Sequence, residues 1–393
     1  MIRRVAGLLL ALLLVALTAA PAAAAAPTGC PGADAPPPPP ADEELAAPPV
    51  APLPIPAEPV GGPGMGVCGD IGAAAPPDVS AASFVLADLD SGAVLAARNP
   101  HARQRPASTL KVLAALVAVE HLDPGTVVEG TAEDLRVDGS KAGIGPGGRY
   151  TVRELLAGLL LNSGNDTAAA LARALGGSAA MTGQMDATAH ALGALDTHAA
   201  TPSGLDGPGQ SSSAYDLALL FRVALRNPFF AETIALRKIS FPGYGAQPGF
   251  ELSNANKLLA YYSGTLGGKT GFTEAARHTF VGAATRNGRR LVVALTRGEQ
   301  HPVPMWKQAA ALLDLGFSLP PDAPAVGTLV DQAPGPAQGP PAQAAGEAPV
   351  GEAAVGQATV GGAAGSGPGV LAVAAAAGVG AALAVLLLRL RGR

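Results

Sequence analysis

The sequence predicts an α/β (α+β) fold in which helices flank an antiparallel sheet, with a mostly helical insertion between the early and late strands. An early hairpin is the first observation. Residues 83–88 are predicted as a strand that leads through Asp90-Ser91-Gly92 into a short strand at 93–96. Strand-like segments late in the chain are the second, and helical patterns between the two groups are the third. The late strands are predicted at 265–271, 279–285 and 290–296.

The predicted helices are apolar runs bounded by turn signals. The first follows Pro106, a residue suited to the start of a helix, and covers 110–119. A turn at Asn287-Gly288 joins the last two strands. Further helices are predicted at 152–161, 167–175, 215–225 and, closing the domain, 305–315.

Composition divides the 393 residues into one folded domain and two flanks. The 51 Gly and 37 Pro crowd into two stretches that lack a periodic apolar pattern. We predict a Pro/Ala-rich spacer with polyproline II character at 27–77 and a low-complexity linker at 320–369. Residues 78–319 hold most of the aromatic residues, so we predict that they form a single globular domain.

The first residues have the layout of a secretory signal. Arg3 and Arg4 precede an apolar run at 5–17, and a small-residue stretch at 19–26 follows. This order of basic, apolar and small residues predicts a signal peptide at 1–26, and hence export of the domain.

The last residues predict a membrane anchor. Residues 370–388 carry no charge and would span about 28 Å as a helix, close to the thickness of a bilayer core. A basic tail at 389–393 follows, and the positive-inside rule assigns it to the cytoplasm. The sequence therefore predicts a single-pass protein of the cell membrane with its domain outside the cytoplasm. A buried or interfacial helix is the alternative for 370–388.

Charge and histidine content exclude several function classes. A net charge of −4 gives no basic surface, which excludes nucleic acid as a partner. The six histidines form no His-Glu-x-x-His motif, so neither a metal nor another cofactor is predicted. No Gly-x-Ser-x-Gly occurs, which excludes the usual serine elbow of α/β-hydrolases.

The two cysteines, Cys30 and Cys68, both precede the predicted domain. An exported pair is permitted to form a disulfide, which would close the Pro-rich loop between them. A lipid-modified Cys30 is the alternative, although Pro27 stands where such sites usually carry an apolar residue. The disulfide is the favoured interpretation.

The first of three short motifs is Ser108-Thr109-Leu110-Lys111, at the start of the first predicted helix. A helix N-terminus favours negative charge developing on the serine hydroxyl. A lysine in an apolar site has its charged form disfavoured, so it can serve as a neutral base for a serine that is otherwise a poor nucleophile. The structural alternative is a capping serine with a solvent-reaching lysine. Lys111 is the only lysine with a serine three positions before it.

The second and third motifs supply polar groups beside such a nucleophile. Ser163-Gly164-Asn165 connects two helices, where a hydroxyl can relay a proton and an amide can hold the lysine. Lys269-Thr270-Gly271 lies on a predicted strand after two glycines, where a substrate backbone could pair with the strand edge. Lys269 and Thr270 would then hold a free carboxylate. Taken alone, each could be an ordinary loop or strand end.

The three motifs in this order resemble those of the low-molecular-mass penicillin-binding proteins, the serine-type D-alanyl-D-alanine carboxypeptidases, especially their actinobacterial members. The resemblance covers about residues 83–319. The segments that carry it are 105–111, 162–168, 201–206 and 269–280.

The resemblance implies a serine β-lactamase/penicillin-binding transpeptidase-like fold and a set of site residues. Carried over by position, these are Ser108, Lys111, Ser163, Asn165, Lys269, Thr270, Gly271 and Phe272. Ser108 would be the acylated nucleophile, Lys111 its general base and Ser163 the proton relay. The backbone N–H groups of Ser108 and Phe272 would form the oxyanion hole. His278 is close enough to the third motif to line the cleft.

The implied partners are a peptidoglycan stem peptide ending in D-Ala-D-Ala and β-lactam antibiotics. A β-lactamase is the nearest alternative, but the only Glu-x-x-Asn after the second motif, at 251–254, comes too late for the deacylating glutamate of class A enzymes. A catalytically inactive peptidoglycan-binding module is the other, although Ser108 and Lys111 are both intact. The motifs do not distinguish carboxypeptidase activity from endopeptidase or weak transpeptidase activity.

Overall fold

An antiparallel sheet, with strands drawn from early and late parts of the chain, forms the centre of the molecule. The structure is a computed structural model that describes residues 30–38, 50–72 and 74–334. In chain order the strands are β1 (Asp70–Gly72), β2 (Ser83–Asp88), β3 (Ala93–Arg98), β4 (Val127–Glu129), β5 (Arg149–Thr151), β6 (Lys238–Phe241), β7 (Phe250–Ser253), β8 (Thr265–Thr273), β9 (Arg277–Arg286), β10 (Arg289–Gly298) and β11 (Gly327–Thr328). The main sheet has the order β1-β3-β2-β10-β9-β8, and β11 also pairs with β3. β4–β5 and β6–β7 form separate two-stranded ribbons.

Helices cover both faces of this sheet and fill the insertion between β3 and β8. They are α1 (Lys111–His121), α2 (Ala132–Arg136), α3 (Val152–Leu161), α4 (Asn165–Ala174), α5 (Ser178–Leu192), α6 (Ala214–Ala224), α7 (Pro228–Ala235), α8 (Lys257–Tyr261) and α9 (Met305–Ser318). The start of α3 shows why these segments are helical. Thr151 accepts a hydrogen bond from the Glu154 N–H, while the Glu154 carboxylate accepts one from the Thr151 N–H, a reciprocal cap.

Strand β2 shows how the core is divided into two layers. Every residue from 83 to 87 is buried, because both faces of the strand are covered. Val85 packs into the layer that contains α1 and α6, whereas Phe84 and Leu86 pack with α9 on the opposite face. The central strands are therefore held rigidly between helices.

The predicted fold class and most predicted elements are confirmed. β2 and α3 have the predicted bounds, and β8, β9 and β10 are each slightly longer than predicted. The helix predicted from 110 begins at Lys111, after a 3₁₀ turn at Ala107–Leu110, and the helix predicted from 167 begins at Asn165. Four helices, α2, α5, α7 and α8, and the ribbons β4–β5 and β6–β7 were missed. The Ala-rich sequence of α5 buries only Met181, Met185 and Ala189, which leaves little apolar periodicity to detect.

The folded part extends past both predicted domain boundaries. β1 lies within the predicted spacer at 27–77 and pairs with β3, and β11 lies within the predicted linker at 320–369. The Cys30–Cys68 disulfide is present, which confirms the favoured interpretation of the cysteines. It ties the start of the described chain to β1, because Cys68 lies two residues before that strand.

Two side chains next to this disulfide-bonded segment hold it against the domain. Arg103 is buried, and its guanidinium donates to the carbonyls of Asp34, Leu53 and Pro54 at 2.6–2.9 Å. One ring nitrogen of His101 lies 2.9 Å from the Val60 carbonyl. The described part of the spacer is thus packed onto the domain through its backbone carbonyls.

Several predicted segments lie outside the described residues. These are the signal peptide at 1–26, the transmembrane helix at 370–388, the basic tail at 389–393, and the linker beyond residue 334. Within the described ranges, no helix has both the length and the apolar character needed to span a bilayer.

Candidate active site

The first motif places a serine directly beside a buried lysine. The 3₁₀ turn Ala107–Leu110 runs straight into α1, so the Ser108 side chain lies one turn before that of Lys111. The Lys111 Nζ is 2.9 Å from the Ser108 Oγ. Lys111 is completely buried, whereas Ser108 keeps partial access to solvent. This pair meets the geometric requirement for a nucleophile and its base.

The surroundings of Lys111 favour its neutral form. Burial lowers the pKa of Lys111 well below its usual value, and the nearby positive charge of Lys269 lowers it further. The Asp166 carboxylate acts in the opposite direction. An uncharged amine carries a lone pair, so it can accept the hydroxyl proton of Ser108.

Two further partners of Lys111 orient that lone pair. Its Nζ lies 2.7 Å from Asn165 Oδ1 and 2.6 Å from the Ser203 carbonyl oxygen, and both of these atoms can only accept hydrogen bonds. The Asn165 amide is oriented because its Nδ2 donates to the Asp138 carbonyl at 2.6 Å. A neutral amine with its two hydrogens on Asn165 and Ser203 points its lone pair at Ser108.

The second motif forms the turn between α3 and α4. Asn165 is the first residue of α4 and contacts Lys111, as predicted. Ser163 has a φ of 61°, an uncommon conformation for a residue other than glycine. Its half-buried hydroxyl makes no hydrogen bond to another described residue. The turn therefore brings Asn165 into the Ser108–Lys111 pair and leaves the Ser163 hydroxyl without a partner in the described chain.

The third motif lies on β8, the edge strand of the main sheet in the described chain. The Lys269 side chain is 2% exposed, and its Nζ donates to the Thr270 carbonyl at 2.8 Å. Burial lowers the pKa of Lys269 to about 7. Lys269 can therefore gain or lose its charge near neutral pH, and its ammonium form is the one suited to hold an anionic group.

Gly271 permits β8 to approach the nucleophile. A Cβ added at Gly271 would lie 2.9 Å from the Ser108 nitrogen and would overlap the Thr279 hydroxyl. Thr279 itself donates to the Pro106 carbonyl at 2.8 Å and so ties β9 to the turn that carries Ser108. The backbone of the third motif and that of the first are therefore adjacent.

Phe272 and His278 face each other across β8 and β9, next to the turn that joins the two strands. Phe272 is 46% exposed, and its ring packs against that of His278 with centroids 4.5 Å apart. Burial lowers the pKa of His278 below its usual value, which favours a neutral ring. These two residues provide an apolar surface next to the third motif.

The motifs did not indicate three residues that support the site. The Ser203 carbonyl binds Lys111, the Asp138 carbonyl orients Asn165, and a Cβ on Gly204 would overlap the Ala107 carbonyl. Gly204 has a φ of +80°, so a glycine here permits both this backbone conformation and the close approach to Ala107. For Ser203 and Gly204, the only sequence signal was their position in the segment 201–206, which resembles the family.

The comparisons with known proteins agree with this geometry. The sequence profile of Peptidase_S11, D-alanyl-D-alanine carboxypeptidase, matches residues 71–298. D-alanyl-D-alanine carboxypeptidase DacB2 of Mycobacterium tuberculosis is 49% identical over 258 residues, which cover 64% of this chain and 87% of that protein. DacF of Bacillus subtilis, also a D-alanyl-D-alanine carboxypeptidase, is 32% identical over 247 residues, 61% of this chain and 62% of that protein.

Solved structures show the same fold. A crystal structure of a D-alanyl-D-alanine carboxypeptidase from Mycobacterium tuberculosis has a TM-score of 0.63 at 47% identity, and covers 67% of this chain and 100% of that one. The Streptomyces K15 DD-transpeptidase has a TM-score of 0.59 at 26% identity, with 63% and 100% covered. With its profile match over more than half of its length and this close relative, the chain belongs to the Peptidase_S11 family of D-alanyl-D-alanine carboxypeptidases.

Proposed function

We propose that this protein removes the terminal D-Ala from peptidoglycan stem peptides through an acyl-enzyme on Ser108, and that β-lactams inhibit it by acylating the same residue. The observation that carries the proposal is the buried Lys111 at 2.9 Å from the Ser108 hydroxyl, with its pKa lowered by burial toward the neutral form. Its two other hydrogen-bond partners are acceptors only, so its lone pair is available to Ser108.

Acylation begins when the Ser108 Oγ attacks the carbonyl carbon between the two D-Ala residues and Lys111 takes the hydroxyl proton. The backbone N–H groups of Ser108 and Phe272 are proposed to stabilise the oxyanion. The closeness of Gly271 to the Ser108 nitrogen supports this assignment, because Phe272 follows directly. The C–N bond then breaks, and the amine of the leaving D-Ala takes the proton back through Ser163.

Substrate binding is assigned to β8. Its outer edge can pair with an extended peptide, while the Lys269 ammonium and the Thr270 hydroxyl bind the terminal carboxylate. Water then attacks the Ser108 ester with Lys111 as base, which releases the shortened peptide and restores the hydroxyl. No cofactor enters these steps.

The β-lactamase alternative has less support. Glu251, the only glutamate in the Glu-x-x-Asn pattern, lies on β7, where its carboxylate pairs with Lys238 at 2.7 Å. In the proposed enzyme the penicilloyl ester therefore persists, because the one glutamate of this pattern is paired with Lys238.

We also propose that the signal peptide at 1–26 and the helix at 370–388 give a single-pass membrane protein with its catalytic domain outside the cytoplasm. This location fits a peptidoglycan substrate.

Two assays on the full-length protein test the function. The first measures the release of alanine from a peptide ending in D-Ala-D-Ala and from one ending in L-Ala-L-Ala. The expected result is one D-Ala released per molecule of the first peptide and no release from the second. The second follows the intact mass with benzylpenicillin, for which a lasting one-to-one adduct is expected. Rapid penicillin hydrolysis without an adduct would favour a β-lactamase. A folded protein that neither releases D-Ala nor reacts would favour an inactive binding module.

The Asn165→Asp substitution is expected to shift the pH dependence of acylation. It replaces the amide beside Lys111 with a carboxylate, and an opposite charge within about 4 Å commonly raises a lysine pKa by about 1–3 units. Because Lys111 acts as a neutral base, the rise in acylation rate with pH should move to higher pH by at least about one unit. Stopped-flow benzylpenicillin acylation between pH 5 and 10 measures this. An unshifted profile would contradict Lys111 as the titrating base.

A further inference from the structure

A buried carboxylate that no motif contains lies behind the second motif. Asp166 is fully buried and has no basic side chain as a salt-bridge partner among the described residues. Its carboxylate accepts four backbone N–H groups instead. They come from Ala142, Gly143, Ile144 and Thr167, at 2.7–3.1 Å. Three of these donors are consecutive residues of one loop, so the carboxylate determines the conformation of that loop.

The same loop returns hydrogen bonds to the second motif. Its carbonyl groups at Asp138 and Ser140 accept from the side chain and the backbone N–H of Asn165, at 2.6 and 2.7 Å. The Lys141 carbonyl accepts from the Asn162 side chain at 2.7 Å. The loop and the start of α4 are thus held to each other in both directions, and Asp166 is the only charged group among these hydrogen bonds.

These contacts reach the proposed base through one amide. Asn165 directs Oδ1 at Lys111 because its Nδ2 is occupied by the Asp138 carbonyl. If the loop moved, the amide could rotate, and Lys111 would lose the acceptor that helps to point its lone pair at Ser108. Gly143, with a φ of +102°, is the position where the loop turns to aim its N–H groups at the carboxylate.

We propose that Asp166 is a positioning residue for Lys111: by holding the loop at 138–144, it keeps the Asn165 oxygen on the lysine. This rests on the proposed function, in which Lys111 is the base. Asp166 contacts neither Lys111 nor Ser108 through a hydrogen bond. Its effect is therefore on the rate of the chemical step and not on substrate contacts.

The test is the Asp166→Asn substitution in the full-length protein. The amide keeps the shape of the carboxylate but turns one acceptor oxygen into an NH₂ that faces backbone N–H donors, so the loop is released. We expect acylation by benzylpenicillin to slow by about 10²-fold, the scale of a small misplacement of a catalytic group. The adduct should still reach one per molecule, and KM for the D-Ala-D-Ala peptide should stay within about twofold.

The pH profile gives a second readout that a purely structural role would not move. The charges acting on Lys111 are Lys269, which lowers its pKa, and Asp166, which raises it. Loss of the Asp166 charge should move the rise in acylation rate to lower pH. An Asp166→Asn protein with wild-type rate and profile would overturn the proposal, as would a slower reaction explained entirely by a smaller reactive fraction.

Two further variants keep the result interpretable. Gly143→Ala strains the loop while leaving the carboxylate in place, since its Cβ would lie 3.1 Å from the Phe250 ring, and it should also slow acylation at full adduct yield. Asp134→Asn is the matched control, because Asp134 is another buried carboxylate, which caps α2 and pairs with Arg173 at 2.7 Å. It should lower Tm without changing the acylation rate. If the wild type itself forms no adduct, the proposed function fails and not the role of Asp166.

Discussion

Replacing Ser108 with alanine is expected to abolish acylation, with D-Ala release reduced by at least about 10⁴-fold. The substitution removes only the hydroxyl oxygen, so water would have to attack the substrate without a covalent step. Intact-mass measurement with benzylpenicillin should show no adduct at any time. The peptide-binding groups on β8 are untouched, so affinity for the D-Ala-D-Ala peptide should persist.

A serine far from the site provides the control for this loss. Ser318 ends α9, where its exposed hydroxyl donates to the Leu315 carbonyl at 2.7 Å. Ser318→Ala should keep the full adduct and the full turnover. A Ser108→Ala protein that still forms a covalent penicillin adduct would assign the nucleophile to another residue.

Replacing Lys111 with methionine is expected to slow acylation by about 10³–10⁴-fold, the upper range for loss of a general base. Methionine fills a similar volume in this fully buried position but offers no lone pair basic enough to accept the Ser108 proton. The Asn165 and Ser203 oxygens each lose a donor, at a cost of about 1–3 kcal/mol for an unsatisfied group. Removal of a buried amine offsets part of that cost. Tm should therefore fall moderately, whereas the acylation rate should fall by orders of magnitude.

The second buried lysine supplies the contrast. Lys269→Met should act mainly through KM, because Lys269 is assigned to the terminal carboxylate and not to proton transfer. With a peptide whose C-terminus is amidated, the wild type and Lys269→Met should converge in kcat/KM on the high-pH plateau, where Lys111 is neutral in both, whereas Lys111→Met should stay slow there. If Lys111→Met retained acylation within about tenfold of wild type, another group would have to be the base.

Much of the fold follows from local patterns. The apolar run at 84–87, the capping pair at Thr151 and Glu154, and the turn at Asn287-Gly288 each act within a few residues, so the sequence predicts β2, α3 and the β9–β10 hairpin. α5 escaped prediction because only Met181, Met185 and Ala189 of its 15 residues are buried, which leaves little apolar periodicity. β1 and β11 were not predicted, because strands of two or three residues are too short to show a pattern of their own. They are strands because they pair with β3.

The sequence by itself also determined the three motifs, and with them the serine, the lysine and the helix that aligns the two. Only the tertiary structure decided how Lys111 is oriented. Its acceptors come from residues 54 and 92 positions away, and one of them is a backbone carbonyl, a group that every residue carries. Asp166 lies in a family-like segment, but its role is hidden for the same reason, because its partners are mostly backbone N–H groups of a loop more than 20 residues earlier in the chain. Side-chain chemistry can be recognised in a sequence, whereas hydrogen bonds to backbone appear only when the chain has folded.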